Sequence, residues 1–281
     1  MKLAVSMWSY FHATRDCGLD IPGFIREAKR AGAEGVELLD FFYGPDRSAK
    51  TPAINEALAE TGLPVPIFSV SNDFAQLDLS KREAALDRIR FGVDEAVHYG
   101  AGVVRVFAGD VKEGVTFDQA RAWIVEGLRK GAEYGGEHGV RLALENHGTL
   151  AGRSDQVRGL LNDIDHPAIG ANPDTGNFQL VGQHGHEAIR DVADLAAMVH
   201  FKDFAPEPAD HHGFAYTALD GSRWIGKAVG EGVVDLGACI DALSERGFDG
   251  WLSVEYEGEE DPFTAVPRSI ENARRFLALE P

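Results

Sequence analysis

The chain has 281 residues, with 45 Asp and Glu against 27 Lys and Arg and a formal net charge of −18. So acidic a surface repels phosphate backbones, which argues against nucleic acid as a partner. Cys17 and Cys239 are too few for a disulfide framework and suit a reducing compartment. Ser6, Ser9, Tyr10 and His12 interrupt the first apolar stretch, which reads neither as a signal core nor as a membrane span. A cytoplasmic protein without a membrane partner is expected.

Residues 3–8 (LAVSMW) predict a first strand, and a helix follows over 21–32, with a proline in its first turn and Gly32 as its stop. The second strand is expected at 35–41 (GVELLDF), a helix at 51–62, and the third strand at 64–70 (PVPIFSV). The helix over 80–100 reads as opening on Ser80 with Glu83 three residues on, a capping box, and closing on Gly100. A fourth strand at 102–108, a helix at 116–139, a fifth strand at 141–146 (RLALEN) and a helix at 154–164 come next. The sixth strand, 168–174 (AIGANPD), precedes a helix at 186–196 and the seventh strand, 197–203 (AMVHFKD). After a helix at 235–247, the eighth strand at 251–257 (WLSVEYE) and a helix at 263–279 complete the chain.

These strand runs are mostly continuous apolar stretches, as expected of parallel strands buried on both faces. Eight strand–helix units predict an α/β fold, a single (β/α)8 TIM barrel spanning 1–281 as one domain. An open doubly wound sheet is the competing arrangement, but the first strand–helix connection lacks its Gly-rich phosphate fingerprint. The 204–233 stretch is long for a strand–helix connection and reads as a lid, a subunit contact or a solvated loop. Within it Arg223 and Lys227 are candidates to hold a phosphate or carboxylate, whereas VGEGVVD lacks P-loop spacing.

In such barrels the chemistry sits at the C-terminal ends of the strands. The fifth strand ends on Glu145, the sixth on Asp174, the seventh on His200 and the eighth on Glu255. A charge carried straight out of a core costs several kcal/mol unless it is paired or bound to a metal. Taken singly, each residue has a plainer reading, as a solvated or ion-paired carboxylate or a satisfied core histidine. Together on four successive strand ends they suit a divalent ion, Mn²⁺ first, with Mg²⁺, Co²⁺ or Zn²⁺ as alternatives. His147 lies two residues beyond Glu145, on the same side of an extended strand, and is a candidate acid–base group or a partner for loop backbone. Trp8, with Tyr10 and Phe11, offers an aromatic face to a sugar or packs the barrel mouth. Glu37, Asn72 and Arg105 are candidates to bind sugar hydroxyls, with an Arg105–Glu37 ion pair as the plainer reading.

The set Glu145, Asp174, His200 and Glu255 resembles the metal site of the xylose-isomerase-like TIM-barrel superfamily, which contains D-tagatose 3-epimerase, hydroxypyruvate isomerase, inosose dehydratase and endonuclease IV. The phrases GVEL (35–38), ENHG (145–148), DTGN (174–177), HFKD (200–203) and the segment 230–258 carry the likeness over essentially the whole chain. The resemblance implies a small carbohydrate substrate whose carbonyl and adjacent hydroxyl are gripped by the metal. It further implies that Glu145 and Glu255 exchange the α-proton as base and acid through an enediolate, while Asp174 and His200 are ligands only. Homo-oligomers are common in the group. The chain departs from the epimerase pattern at Asn177, where a histidine is usual, and has Lys202 or a residue of the following loop as the nearest equivalent of a substrate-orienting arginine. An isomerase or epimerase is the leading expectation. A lyase using the same chemistry, by inosose dehydration or cleavage of a 3-keto-glycoside including C-glycosides, is the alternative. An endonuclease IV-like phosphodiesterase would need more strand-end histidines, and a non-catalytic binding subunit would have no reason to keep four ligands.

Overall fold

The apolar runs become eight parallel strands in the computed structural model, which describes residues 1–44 and 47–277. They are β1 (Lys2–Ser6), β2 (Gly35–Leu39), β3 (Ile67–Ser69), β4 (Val103–Val106), β5 (Arg141–Glu145), β6 (Ile169–Asn172) and β7 (Val199–Phe201). Three short strands intervene, β8 (Asp203–Pro206), β9 (Tyr216–Thr217) and β10 (Arg223–Lys227), before β11 (Trp251–Val254) completes the set. Hydrogen-bonded neighbours run β6-β5-β4-β3-β2-β1-β11-β7, a nearly closed barrel and the predicted fold. Val36, Phe68, Val104, Leu142, Leu252 and their neighbours are fully buried between barrel and helices.

The seam between β6 and β7 is the weak join. Pro173 has no N–H to give, so the β6 ladder ends at Asn172 rather than at the expected 174. Asp174 and His200 instead meet as an isolated parallel bridge. Thr175 sews the seam shut: its Oγ1 donates to the Lys202 carbonyl (2.7 Å) and accepts the Lys202 N–H (2.9 Å), and its own N–H donates to the His200 carbonyl (3.1 Å). The join of the barrel therefore passes directly through two of the predicted site residues.

The helices are α1 (Phe11–Cys17), α2 (Ile21–Ala31), α3 (Arg47–Thr61), α4 (Leu79–Tyr99), α5 (Phe117–Glu137), α6 (Ser154–Ile164), α7 (Asn177–Leu180), α8 (Gly185–Val192), α9 (Leu236–Glu245) and α10 (Pro262–Leu277). The end of the expected 263–279 helix, at 278–279, lies outside the described residues. The α4 cap differs from expectation: Asp78, not Ser80, is the N-cap, and its carboxylate accepts the Ser80 N–H at 2.8 Å. An ionised cap complements the positive end of the helix better than a hydroxyl does. Neither α1 nor α7 was expected; α1 follows a 3-10 turn (Met7–Tyr10) without a gap, and α7 is a single turn.

Within the 204–233 stretch β9 and β10 join β8 in a small antiparallel sheet, with turns and irregular chain between the strands. β10 pairs antiparallel with β8 and with β9. Arg223 is spent on Glu207 (Nε to Oε2 2.6 Å), so it is not a free anion-binding group. The stretch is anchored at Asp203, whose buried carboxylate accepts N–H groups of Gly230 (3.0 Å), Gly232 (2.8 Å) and Val234 (3.1 Å). The glycines of VGEGVVD thus cradle the chain's own anion; a Cβ at Gly232 would sit 2.1 Å from Asp203 Oδ1. Among the described residues no helix is long and apolar enough to cross a membrane.

Thr175→Val keeps the shape but strands the Lys202 N–H and carbonyl at the seam. It is expected to lower stability by about 1–3 kcal/mol in urea denaturation, and a change within error would refute the stitching role.

Candidate active site

The four predicted ligands come together. Glu145, Asp174, His200 and Glu255 are buried, and one nitrogen or oxygen from each lies within 4.8 Å of all the others. His200 Nδ1 is 3.2 Å from Glu145 Oε2, 3.6 Å from Glu255 Oε2 and 3.9 Å from Asp174 Oδ2. Its other nitrogen, Nε2, is 3.1 Å from both oxygens of Glu37. A carboxylate can only accept, so Nε2 carries the proton and Nδ1 faces the cluster.

That contact corrects the reading of Glu37 as a substrate-binding residue. Glu37 lies two residues short of the end of β2 and is fully buried beneath His200, where it also accepts from Ser69 and Ser253 (2.5 Å). No lone pair is left to face a ligand. Asn72 is likewise engaged elsewhere: its amide donates to the Phe107 carbonyl (2.7 Å) and accepts the Phe107 N–H (2.9 Å), tying the third strand's loop to the fourth's. The Arg105 guanidinium is in ion-pair contact with Glu145 (Nε to Oε2 3.2 Å) rather than Glu37, and donates to the Val70 carbonyl.

Lys202 and Asn177 complete the surround. The Lys202 ammonium lies 2.7 Å from Glu255 Oε2, 3.0 Å from Asp174 Oδ2 and 3.2 Å from Glu257 Oε2. Asn177 donates to Glu145 Oε1 (3.1 Å) and accepts from Lys202 (3.3 Å), joining carboxylate and ammonium through one amide. Asp174 Oδ1 accepts the N–H groups of Gly176 and Asn177, both at 2.9 Å, which aims Oδ2 at the cluster.

The titration of these groups follows from their burial and their company. Burial pushes the Glu145 carboxyl up, but His200 and Arg105 outweigh it and hold it well below the ordinary carboxylate range. Burial pushes Glu255 up to about 7, with Lys202 and His200 opposing. Burial also raises Asp174. Burial alone would lower His200; Glu37, Glu255 and Glu145 reverse this and raise it well above the usual imidazole value.

The chemistry of the donor set fits a divalent cation. Glu37, Glu145, Asp174, Glu255 and Glu257 face only two permanent cations here, Arg105 and Lys202, so with a neutral imidazole negative charge is in excess. Asp174 Oδ2 and His200 Nδ1 are buried without an aligned hydrogen bond. A proton at Nδ1, or a metal ion in its place, is what such a set calls for.

A cavity of about 190 Å³ opens onto this cluster. Glu145, Glu255, Glu257, Arg105 and Lys202 give it a charged lining; Trp8, Phe41 and Phe107, with Leu39, give it an apolar one, and Ser71 and His147 line it too. It is smaller than the roughly 300–1,000 Å³ of a drug-sized pocket and suits one small molecule. Trp8 and His147 therefore lie where expected, His147 exposed with its ring 4.7 Å from that of Phe107. Tyr10 is buried against Phe24 and Phe263 instead. Sequence reasoning missed Phe41, Phe107, Ser71 and Glu257; the last stands only two residues beyond Glu255, the same spacing that singled out His147.

Fold and cluster together define a TIM barrel with a buried carboxylate–imidazole centre at the C-terminal mouth. Residues 25–278 match the family model described as xylose isomerase-like TIM barrel, and the chain belongs to that family. It is 26% identical over 181 residues to an inosose dehydratase of Lacticaseibacillus casei, covering 62% of this chain and 59% of that one. It is 24% identical over 224 residues to the L-ribulose-5-phosphate 3-epimerase UlaE of Salmonella typhi, covering 77% and 74%. These relatives are enzymes, a dehydratase and an epimerase. A xylose isomerase-like TIM barrel protein from Mycobacterium smegmatis, solved in complex with magnesium, has the same fold, with a TM-score of 0.75, 19% identity and coverage of 99% and 96%.

Glu37→Gln removes the charge that orients His200. It is expected to weaken Mn²⁺ binding about 10–100-fold in a chelator competition, and unchanged affinity would contradict the role given to Glu37.

Proposed function

We propose that this chain is a divalent-metal-dependent isomerase or epimerase of a keto sugar or related polyol, acting by transfer of the proton next to the carbonyl. The observation that carries the reading is the division of labour within the cluster. Glu145 and Glu255 both approach His200 Nδ1 and both line the cavity, whereas Asp174 and His200 do not line it. Two carboxylates are thus open to a substrate, with a ligand pair behind them.

A divalent ion held by Glu145, Asp174, His200 and Glu255 would act as a Lewis acid on the substrate carbonyl. Mn²⁺ suits three carboxylates and an imidazole, and the magnesium of the Mycobacterium smegmatis protein is consistent with a hard dication. The chain's own groups do the rest. Glu145, held ionised by His200 and Arg105 and hydrogen-bonded by Asn177, takes the proton from one face of the carbon. Glu255 returns it on the other. Lys202 binds a substrate oxygen at the charged lining, and Trp8, Phe41 and Phe107 cover the C–H face of the sugar and exclude water. The epimerase relative supports this outcome.

A lyase is the second reading, and one observation favours it. His147 and Lys202 line the same cavity as the two glutamates, which supplies acids beyond the two that proton exchange needs. Either could protonate a leaving group on the next carbon, as in inosose dehydration or cleavage of a 3-keto-glycoside, C-glycosides included. The dehydratase relative and Asn177 in place of a histidine point the same way.

Mn²⁺-loaded protein in D₂O with ketoses, inososes and 3-keto-glycosides tests both readings by NMR. Deuterium entering the carbon next to the carbonyl, dependent on metal and on Glu145, is the expected result, and the products separate isomerase from lyase. No exchange with any substrate would refute the shared chemistry. Glu145→Gln and Glu255→Gln are each expected to lower turnover by about 10²–10⁴-fold with an unchanged circular dichroism spectrum. Near wild-type turnover in either variant would remove that residue from the acid–base pair.

A further inference from the structure

We propose that Glu257 is a positioning residue that receives the Lys202 ammonium when a divalent ion claims Asp174 and Glu255; this rests on the metal reading above. The ammonium touches Glu255 Oε2 and Asp174 Oδ2, the same oxygens that converge on His200 Nδ1. Ammonium and dication therefore compete for the same lone pairs. An ammonium that is only 3% exposed cannot retreat into water and must keep anionic company as the ion arrives. Two of its present neighbours remain for it, Glu257 Oε2 at 3.2 Å and Asn177 Oδ1 at 3.3 Å.

Glu257 is built to receive it. Its Oε1 accepts the Trp8 indole N–H at 2.8 Å, which fixes the carboxylate and leaves Oε2 turned toward Lys202. Gly226 packs so closely that a Cβ there would lie 2.3 Å from the Glu257 carbonyl, so the three-stranded sheet backs the residue from behind. Loading the centre thus draws Lys202 off the metal ligands and toward Trp8, along the wall of the cavity that all three residues line. Without the ion, the ammonium fills the anionic cradle; with it, the ammonium faces the substrate.

The test uses Mn²⁺ alone and reads its dissociation constant by competition with a chromophoric chelator, at fixed pH and ionic strength. Wild type, Lys202→Met, Glu257→Gln and the double variant form one cycle. Glu257→Gln is expected to weaken Mn²⁺ about tenfold beside Lys202 but at most about twofold beside Met, because without the ammonium there is nothing to receive. Mere loss of a nearby negative charge would weaken Mn²⁺ by the same factor in both backgrounds, and that result overturns the proposal. If Lys202→Met does not fold, Lys202→Gln, which still donates to a carboxylate, takes its place in the cycle. A wild-type protein that binds no Mn²⁺ would defeat the metal reading itself, and this one with it, whereas tight binding with no coupling defeats this one alone.

Discussion

Four carboxylates gathered at the mouth of a barrel, with a fifth, Glu37, one layer below, and with Arg105 and Lys202 as their permanent counter-cations among the described residues, set the terms for everything around them. Uncompensated charge at that depth would cost several kcal/mol per group. Each neighbour answers that cost: Glu37 turns His200 so that Nδ1 faces the cluster, Asn177 spans Glu145 and Lys202, and Arg105 leans on Glu145. Even the barrel's closure is subordinate to it, since the β6–β7 seam is held by Thr175 and by the Asp174–His200 bridge rather than by a regular ladder. Five carboxylates against two permanent cations leave negative charge in excess, which a divalent cation would offset in part.

The same crowding separates roles among like residues. Glu145 and Glu255 share a nitrogen contact, yet one sits beside Arg105 and an amide donor while the other sits beside Glu257 and an ammonium. Their affinities for a proton diverge accordingly, which is what an acid and a base in one pocket require. Among them, Trp8, Phe41 and Phe107 supply surface without charge. A cavity lined by both charged and aromatic side chains can meet a ligand that is polar at its rim and apolar on its faces.

The barrel and its cluster of four residues at the strand ends were legible because both depend on local pattern: apolar runs end where charged residues appear. Glu37 and Asn72 misled because composition cannot say which layer of a barrel a side chain occupies. Glu37 stops one layer short of the mouth, and Asn72 turns sideways to the Phe107 backbone. Glu257 was hidden by its neighbour Glu255, which already accounted for the eighth strand's end. The 204–233 stretch read as a long connection because its strands are two to five residues long and depend on one another, and on Asp203, for their order. Phe41 and Phe107 carry no signal that distinguishes an aromatic at a cavity from one in a core; only the folded mouth does.

Anomalous diffraction at the manganese edge from a crystal soaked in Mn²⁺ tests the central claim most directly. The account predicts a peak at the mouth, about 2.0–2.5 Å from a donor atom of each of Glu145, Asp174, His200 and Glu255. A peak at surface carboxylates alone, with Lys202 still lodged between Asp174 and Glu255, would contradict it.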